Sequence, residues 1–301
     1  MPPGSAQNAV NKGVPGTARS GAGNMTVKEQ LRLRHEDIKP NIGSRILNTK
    51  DELLSGALAQ DIRDLIERRG VLVYPDIRFS DAEQVAFTKT LGTFMPEHDG
   101  AEVYNISLDE TVNAKRDYLK GSLFWHIDGT MNPLPIGYAI LSSKVLPTWG
   151  GDTEFCNTYA AYDALSDEMK ARLDGLRVAH SAWTSLYYYE PEPTQRMLEE
   201  MMAIGQTELP IVWTHKSGRK SLVLGCTAHH VIGMDWVESA KLLNSLREFA
   251  TSEPFHYAHQ WSVGDTVMWD NTGTMHRAKP YDPDCGRLLK RTKTGGEEPI
   301  A

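Results

Sequence analysis

The sequence predicts an α+β protein, mainly β, built on a β-sandwich or jelly roll with flanking helices. Helix signals cluster before Gly92. Past that point short strand signals bounded by glycine or proline dominate, and one clear helix returns near the end. No internal repeat and no second Gly/Pro-rich linker interrupts this order.

In chain order, Met1–Asn24 is rich in Gly, Pro, Ala, Ser and Asn and lacks any apolar block. Residues 1–24 therefore read as a disordered tail, without the continuous apolar region a secretory signal needs, and residues 25–301 read as a single domain. Thr49-x-x-Glu52 is a capping box. The apolar residues after it (Leu53, Leu54, Ala57, Leu58, Ile62, Leu65 and Ile66) predict one helix with one apolar face, stopped by Gly70. Val71–Tyr74 reads as a short buried strand. Ser80-x-x-Glu83 caps a second helix that ends near Gly92. Tyr138–Ser142, Ser221–Leu224 and Thr266–Asp270 are β-branched or aromatic runs and predict strands. The last helix is expected from about Asp235 to Ala250, with Val237, Ala240, Leu243, Leu246 and Phe249 on one face.

Composition bounds the function. With 40% hydrophobic and 24% charged residues the chain is ordinary globular protein, which excludes global disorder, collagen and coiled coil. No apolar run approaches the ~20 residues needed to cross a bilayer, so no membrane partner is expected. A net charge of −7 argues against nucleic acid as a partner. Cys156, Cys226 and Cys285 are too few and too scattered for a disulfide framework or a CxxC zinc site, and this favours a cytoplasmic location.

The sharpest chemical signal is Trp125-His126-Ile127-Asp128. In extended chain His126 and Asp128 project to the same side, so an imidazole and a carboxylate converge. His276 supplies a candidate third ligand. It follows the predicted strand Thr266–Asp270 and the turn-forming cluster Asn271-Thr272-Gly273. Two histidines and one carboxylate make a facial set that leaves coordination positions open, as non-haem Fe(II) requires. A zinc-dependent hydrolase or isomerase on a cupin-like barrel would tolerate the same ligands. A second His-x-Asp match, His35-Glu36-Asp37, lies among alternating charges and reads as a solvated surface pair. Downstream, Arg287 and Arg291 are four residues apart, hence on one face whether helical or extended. A guanidinium beside a metal can clamp a carboxylate in bidentate fashion. Upstream, Trp149-Gly150-Gly151-Asp152-Thr153 offers a glycine turn ending in a hydroxyl. The remaining histidines read as structural: His180 as a core residue, His229 and His230 as neighbours facing opposite ways, His256 and His259 as sheet residues.

The combination of His126-x-Asp128, Gly150-Gly151-Asp152-Thr153, Trp269-Asp270-Asn271, His276, Arg287 and Arg291 resembles the Fe(II)/2-oxoglutarate dioxygenases of the taurine and 2,4-dichlorophenoxyacetate (aryloxyalkanoate) group, over roughly residues 42–295. The resemblance implies a double-stranded β-helix core. It implies His126, Asp128 and His276 as iron ligands, Thr153 and Arg287 as the hold on the distal carboxylate of 2-oxoglutarate, and Arg291 as the contact to a substrate's acidic group. His98 lies roughly where some relatives place another substrate-contacting histidine; a surface histidine between Glu97 and Asp99 is the competing reading. Relatives that halogenate lack the carboxylate found here at Asp128, so the resemblance points to oxygen insertion. With Fe(II) as cofactor and 2-oxoglutarate and O2 as co-substrates, the implied reaction couples decarboxylation to succinate and CO2 with hydroxylation of a small organic acid. Ether or C–S cleavage would follow where the hydroxylated product collapses. Assembly as a homo-oligomer, dimer or tetramer, is implied by resemblance only.

The stretch Trp183–Thr207, with its aromatic residues and Met197, Met201 and Met202, reads either as a helix packed on the sheet or as a lid over a bulky substrate. With Arg291 for an acid group, it suggests an aromatic or hydrophobic carboxylate such as an aryloxyalkanoate. A terpenoid or polycyclic substrate is the alternative within the same chemistry. A non-catalytic metal- or 2-oxoglutarate-binding protein on the same fold is the alternative outside it.

Overall fold

Local capping chemistry sets the first helices. The computed structural model describes residues 31–97, 99–113 and 119–301; the tail expected over residues 1–24 lies outside them. Thr49 accepts from the Glu52 amide while the Glu52 carboxylate accepts from the Thr49 amide at 2.7 Å, and the helix Lys50–Leu54 starts there. Ser80 and Glu83 repeat the arrangement before the helix Asp81–Leu91. The single helix expected from Thr49 to Gly70 is in fact two, Lys50–Leu54 and Ala59–Arg69. Gly56 has φ +73°, a left-handed conformation that ends the first helix and that side-chain periodicity cannot register. The later helix, Trp236–Ala250, begins as expected at an Asp235 N-cap, but its buried face is Ser239, Leu242, Leu243, Leu246 and Ala250. The sequence stripe stepped by three from Val237 to Phe249. A helix turns every 3.6 residues, so such a stripe walks around the axis, and Val237 and Phe249 lie exposed.

Strands dominate the rest. A seven-stranded sheet runs in the order His35–Asp37, Ser44–Ile46, Val71–Tyr74, Thr266–Asp270, Ile136–Val145, Leu288–Gly295, Tyr104–Ile106. Its pairs are antiparallel except the one between Ser44–Ile46 and Val71–Tyr74. A three-stranded sheet orders His256–His259, Thr153–Asn157 and Thr274–Ala278. Another places Arg177–Ser181 between Ala228–Val231 and Gln206–Pro210, and a two-stranded ribbon joins Val212–Thr214 to Lys220–Leu222. Among the described residues, hydrogen bonding does not close these sheets into a barrel.

Side-chain alternation divides the core. Leu72, Tyr74, Ile140 and Met268 face the early helices and pack on Leu53, Ile62, Ile66 and Phe87. Their neighbours Val71, Val73, Ala139, Leu141, Val267 and Trp269 face the other way and enclose Phe155 of the three-stranded sheet. The central strands of the large sheet are thus buried on both faces, which accounts for the near-continuous apolar run of Val71–Tyr74. A third cluster gathers Leu242, Leu243, Leu246 and Ala250 of the late helix against Trp213, Leu222, Val231 and Met275. Each fully buried Leu, Ile or Phe contributes roughly 1.5–3 kcal/mol. His35–Asp37 forms an edge strand exposed at all three positions, in keeping with its reading as a solvated pair.

Candidate functional site

The backbone brings two distant segments side by side. His276 is central in the strand Thr274–Ala278. His126 follows the 3-10 turn Lys120–Leu123 and forms an isolated antiparallel bridge to His276; each amide donates to the other's carbonyl at 3.0 Å. Directly paired residues project to one face, and the two imidazoles lie 4.1 Å apart between ring centroids. Asp128, two positions on, returns to that face. Its Oδ1 is 3.7 Å from His126 Nε2 and its Oδ2 is 3.7 Å from His276 Nε2. The three ligand atoms all lie within 4.8 Å of one another, an arrangement that can hold a metal ion.

Two devices aim the imidazoles. The Nδ1–H of His126 donates to the Phe124 carbonyl at 2.8 Å, which leaves the Nε2 lone pair free for a ligand. His276 Nδ1 has no hydrogen-bond partner. That ring is held instead by packing against Trp269 and Phe155, at centroid distances of 4.6 and 6.2 Å. Burial pushes the His276 imidazole down to about 3, so it is neutral at neutral pH. Burial alone would raise the Asp128 carboxyl; the adjacent His276 imidazole and the Arg291 guanidinium outweigh it and hold Asp128 below the usual carboxylate range. The donor set is two imidazole nitrogens and one carboxylate oxygen, suited to a divalent cation.

Asn271 fixes Asp128 from behind. Its Oδ1 accepts from the Asp128 amide at 3.0 Å, and its Nδ2 donates to the Asp128 carbonyl at 2.7 Å and to the Ile136 carbonyl at 3.2 Å. The side chain is fully buried. Asn271→Ala is expected to weaken Co(II) affinity by roughly 10–100-fold, as loss of an orienting partner does. A metal titration read beside a thermal melt checks this: unchanged metal affinity with a lowered Tm would show that Asn271 serves stability alone.

The adjacent Asp270 is also buried, and burial pushes its carboxyl up to about 6. Its Oδ1 accepts from the Thr272 amide and hydroxyl, contacts an asparagine can keep. The folded state binds this proton more tightly than the unfolded chain does. Stability therefore falls as pH rises from about 4 to about 6, and the cost persists above that window. Asp270→Asn is expected to raise Tm near neutral pH, by up to about 2–3 kcal/mol in stability, with the gain shrinking toward pH 4. A pH-independent change in Tm would contradict this.

The strand Leu288–Gly295, with Arg287 just before it, supplies a second row. Arg287, Leu289 and Arg291 alternate onto one face and line the same cavity as the His/Asp cluster. Arg287 is only 2% exposed; it donates to the Gly151 carbonyl at 2.9 Å and stacks over Tyr281 at 4.5 Å. Its Nε has no acceptor, and among the described residues no carboxylate lies within ion-pair distance of it. Gly151 permits this approach: at φ +77°, a Cβ there would sit 3.1 Å from Arg287 Nε and 2.8 Å from Pro147 Cγ. Thr153 opens the strand Thr153–Asn157 and lines the same cavity, its hydroxyl accepting from Trp261 Nε1 at 3.0 Å.

Arg291 is placed differently. Its Nη1 is 3.8 Å from Asp128 Oδ2, and its Nη2 donates to both oxygens of Glu97 at 3.1 and 3.3 Å. Lys293, two residues on, meets Glu97 at 2.6 Å. The predicted contact His98 lies outside the described residues.

The cavity has a volume of about 260 Å³. Ile106, Leu119, Leu141 and Leu289 form apolar wall, and Met201 and Ile204 close another side. These last two come from the helix Gln195–Met202 and the turn after it, so the Met-rich segment borders the cavity. The other histidines are accounted for locally. His180 is fully buried and bonded to Thr227, and His230 stacks on Trp236. His256 and His259 pair with Glu154 and Asp265. Sequence reasoning listed Asn271 only as part of a motif and missed Glu97 altogether; its partners are 194 and 196 residues away.

Comparison with known proteins agrees with this geometry. Residues 34–293 match the family model described as "Taurine catabolism dioxygenase TauD, TfdA family". The chain is 36% identical over 265 residues to the alpha-ketoglutarate-dependent 2,4-dichlorophenoxyacetate dioxygenase of Cupriavidus pinatubonensis, covering 81% of this chain and 90% of that one. It is 34% identical over 242 residues to the (S)-phenoxypropionate/alpha-ketoglutarate-dioxygenase of Sphingobium herbicidovorans, covering 75% and 82%. The crystal structure of AAD-2 in complex with Mn(II) and N-oxalylglycine superposes with a TM-score of 0.76 at 29% identity, covering 90% of this chain and all of that one.

Proposed function

From the premise that the chain belongs to the TauD, TfdA dioxygenase family, we propose that His126, Asp128 and His276 hold its iron, that Thr153 and Arg287 hold 2-oxoglutarate, and that it oxidises an aromatic carboxylic acid. Membership carries the double-stranded β-helix architecture, and the protein is an Fe(II)- and 2-oxoglutarate-dependent dioxygenase that uses O2. Bound iron supplies O2 activation and the oxidative decarboxylation of 2-oxoglutarate to succinate and CO2, coupled to hydroxylation of the substrate.

The chain's own residues bind and orient. His126 and His276 present imidazole nitrogens and Asp128 a carboxylate oxygen on one face, a set that would leave positions of a bound cation open to co-substrates. Among the described residues Arg287 is a buried cation of the cavity with no carboxylate in ion-pair distance, and its Nε without an acceptor supports a role in receiving the distal carboxylate of 2-oxoglutarate. Thr153 adds a hydroxyl to the same wall. The position of Arg291 beside Asp128 supports a role in taking the acid group of the primary substrate.

The apolar wall of Ile106, Leu119, Leu141, Leu289, Met201 and Ile204 is the observation that supports an aromatic body. Two relatives named for 2,4-dichlorophenoxyacetate and (S)-phenoxypropionate support an aryloxyalkanoate as the acid. Hydroxylation beside the ether oxygen would give a product that collapses with cleavage of that bond. The assignment to the cytoplasm is supported by three free cysteines, Cys156 and Cys226 being buried. Among the described residues no helix is long and apolar enough to cross a membrane. A screen of aryloxy acids, sulfonates and hydrophobic acids for succinate formation tests the substrate. An aryloxyalkanoate is expected to give succinate and hydroxylated or cleaved product in equal amounts. Turnover with taurine or a neutral terpenoid and none with aryloxy acids would overturn the assignment.

A further inference from the structure

The charges around Arg291 are already balanced before any ligand arrives. Arg291 touches two carboxylates, Asp128 at 3.8 Å and Glu97 at 3.1 Å, while Glu97 touches two cations, Arg291 and Lys293. The side chains of Glu97, Arg291 and Lys293 are 12%, 17% and 7% exposed, so water screens these pairs little. Arg287, on the same strand face, has no such partner among the described residues. Of the two guanidiniums that line the cavity among the described residues, Arg287 is open to an anion and Arg291 is occupied by a carboxylate of the chain itself.

The backbone holds that carboxylate in place. The Met95 amide donates to the Lys293 carbonyl at 3.0 Å, the Glu97 amide to the Ala101 carbonyl at 2.9 Å, and the Gly100 amide to the Glu97 carbonyl at 2.9 Å. Glu97 thus projects from a tight turn pinned to the strand that bears Arg291 and Lys293. Arg291 nonetheless keeps a buried Nε without an acceptor. Its guanidinium stacks over Tyr104 at 5.2 Å, and the residue lines the cavity.

We infer that Glu97 is a resident placeholder for the substrate's acid group: it occupies Arg291 in the empty site and is left on Lys293 when an anionic substrate takes its place. This rests on the reading of Arg291 as the acid contact. The exchange is feasible because Glu97 keeps a cation throughout. It gives up Arg291 and retains the Lys293 contact, so no buried charge is stranded, which would otherwise be costly. It follows that Glu97 is a specificity-determining residue. It competes with anionic substrates and leaves neutral ones untouched, because a ligand without a carboxylate gains nothing from displacing it.

The test uses the protein loaded anaerobically with Fe(II) and 2-oxoglutarate, with phenoxyacetate as the acid probe and phenoxyacetamide as its neutral counterpart, binding being measured by calorimetry. Glu97→Gln is expected to tighten phenoxyacetate by about tenfold and to leave phenoxyacetamide unchanged. Lys293→Met, which removes the receiving cation, is expected to weaken phenoxyacetate alone. These opposite shifts separate the exchange from damage to the fold, which would weaken both ligands in both variants. Arg291→Gln is the control for the underlying reading and is expected to lose phenoxyacetate binding. If Arg291→Gln binds the acid as well as the wild type, or if no form binds it, the acid-contact reading fails and the placeholder fails with it. If Arg291→Gln loses the acid but Glu97→Gln does not tighten it, only the placeholder is overturned.

Discussion

Asp128→Ala is expected to lose Fe(II) binding by more than about 100-fold and to reduce coupled turnover to background, while the protein stays folded. The carboxylate is the only anion in the cluster of three, and its two oxygens each stand 3.7 Å from a histidine Nε2. Removing it leaves two imidazoles beside Arg291, a cation 3.8 Å from the lost oxygen. A dication would then meet two ligands beside Arg291 and Lys293, two cations that share the single carboxylate of Glu97. Outer-partner losses alone cost 10–100-fold in metal affinity, and loss of a direct ligand should exceed that. The fold is expected to survive because Asn271 grips the backbone of residue 128, which alanine retains. Metal titration, succinate release and a thermal melt check the three parts. Full coupled activity in Asp128→Ala or His126→Ala would remove the basis of the ligand assignment.

Arg287→Gln is expected to raise the 2-oxoglutarate requirement by roughly 10–100-fold and to change the rate at saturating co-substrate much less. A hydrogen bond to a charged group is worth about 1.5–3 kcal/mol, and each 1.4 kcal/mol is tenfold in affinity. The side chain is preorganised by the Gly151 carbonyl and the Tyr281 ring, so little ordering remains to be done on binding. Arg287→Lys should recover only part of the loss, since an ammonium cannot present two parallel donors. Succinate formation against 2-oxoglutarate concentration reads both variants. A fall in the saturated rate with an unchanged requirement would place Arg287 outside the 2-oxoglutarate contact.

How much of this was legible in the sequence follows the range of the interactions concerned. The capping boxes at Thr49 and Ser80 act over three residues, and both stand in the structure as read. His126 and Asp128 are two apart, and the period of extended chain was enough to put them on one side. Arg287 and Arg291 share a face for the same reason. The helix break at Gly56 was lost because apolar spacing continues across it, and the buried face of Trp236–Ala250 was misread because a step of three mimics a helix over only a few turns. The bridge between His126 and His276 spans 150 residues of chain; the sequence offers His276 as a third ligand from its place after a strand and turn, and the resemblance adds the rest of the set. Glu97 was invisible for a stronger reason. A glutamate between proline and histidine near Asp99 has the local signature of a solvated turn, and only the return of the strand Leu288–Gly295 buries it against two cations. Long-range burial converts ordinary surface chemistry into site chemistry, and one sequence alone does not display it.

The central claim is that the cavity bounded by His126, Asp128, His276 and Arg287 binds Fe(II) and 2-oxoglutarate together. Anaerobic addition of both to the purified protein, followed by visible absorption, tests it most directly. A weak metal-to-ligand charge-transfer band is expected that requires both components, is absent in Asp128→Ala and needs more 2-oxoglutarate in Arg287→Gln. No band in the wild type, or an equal band in Asp128→Ala, would contradict it.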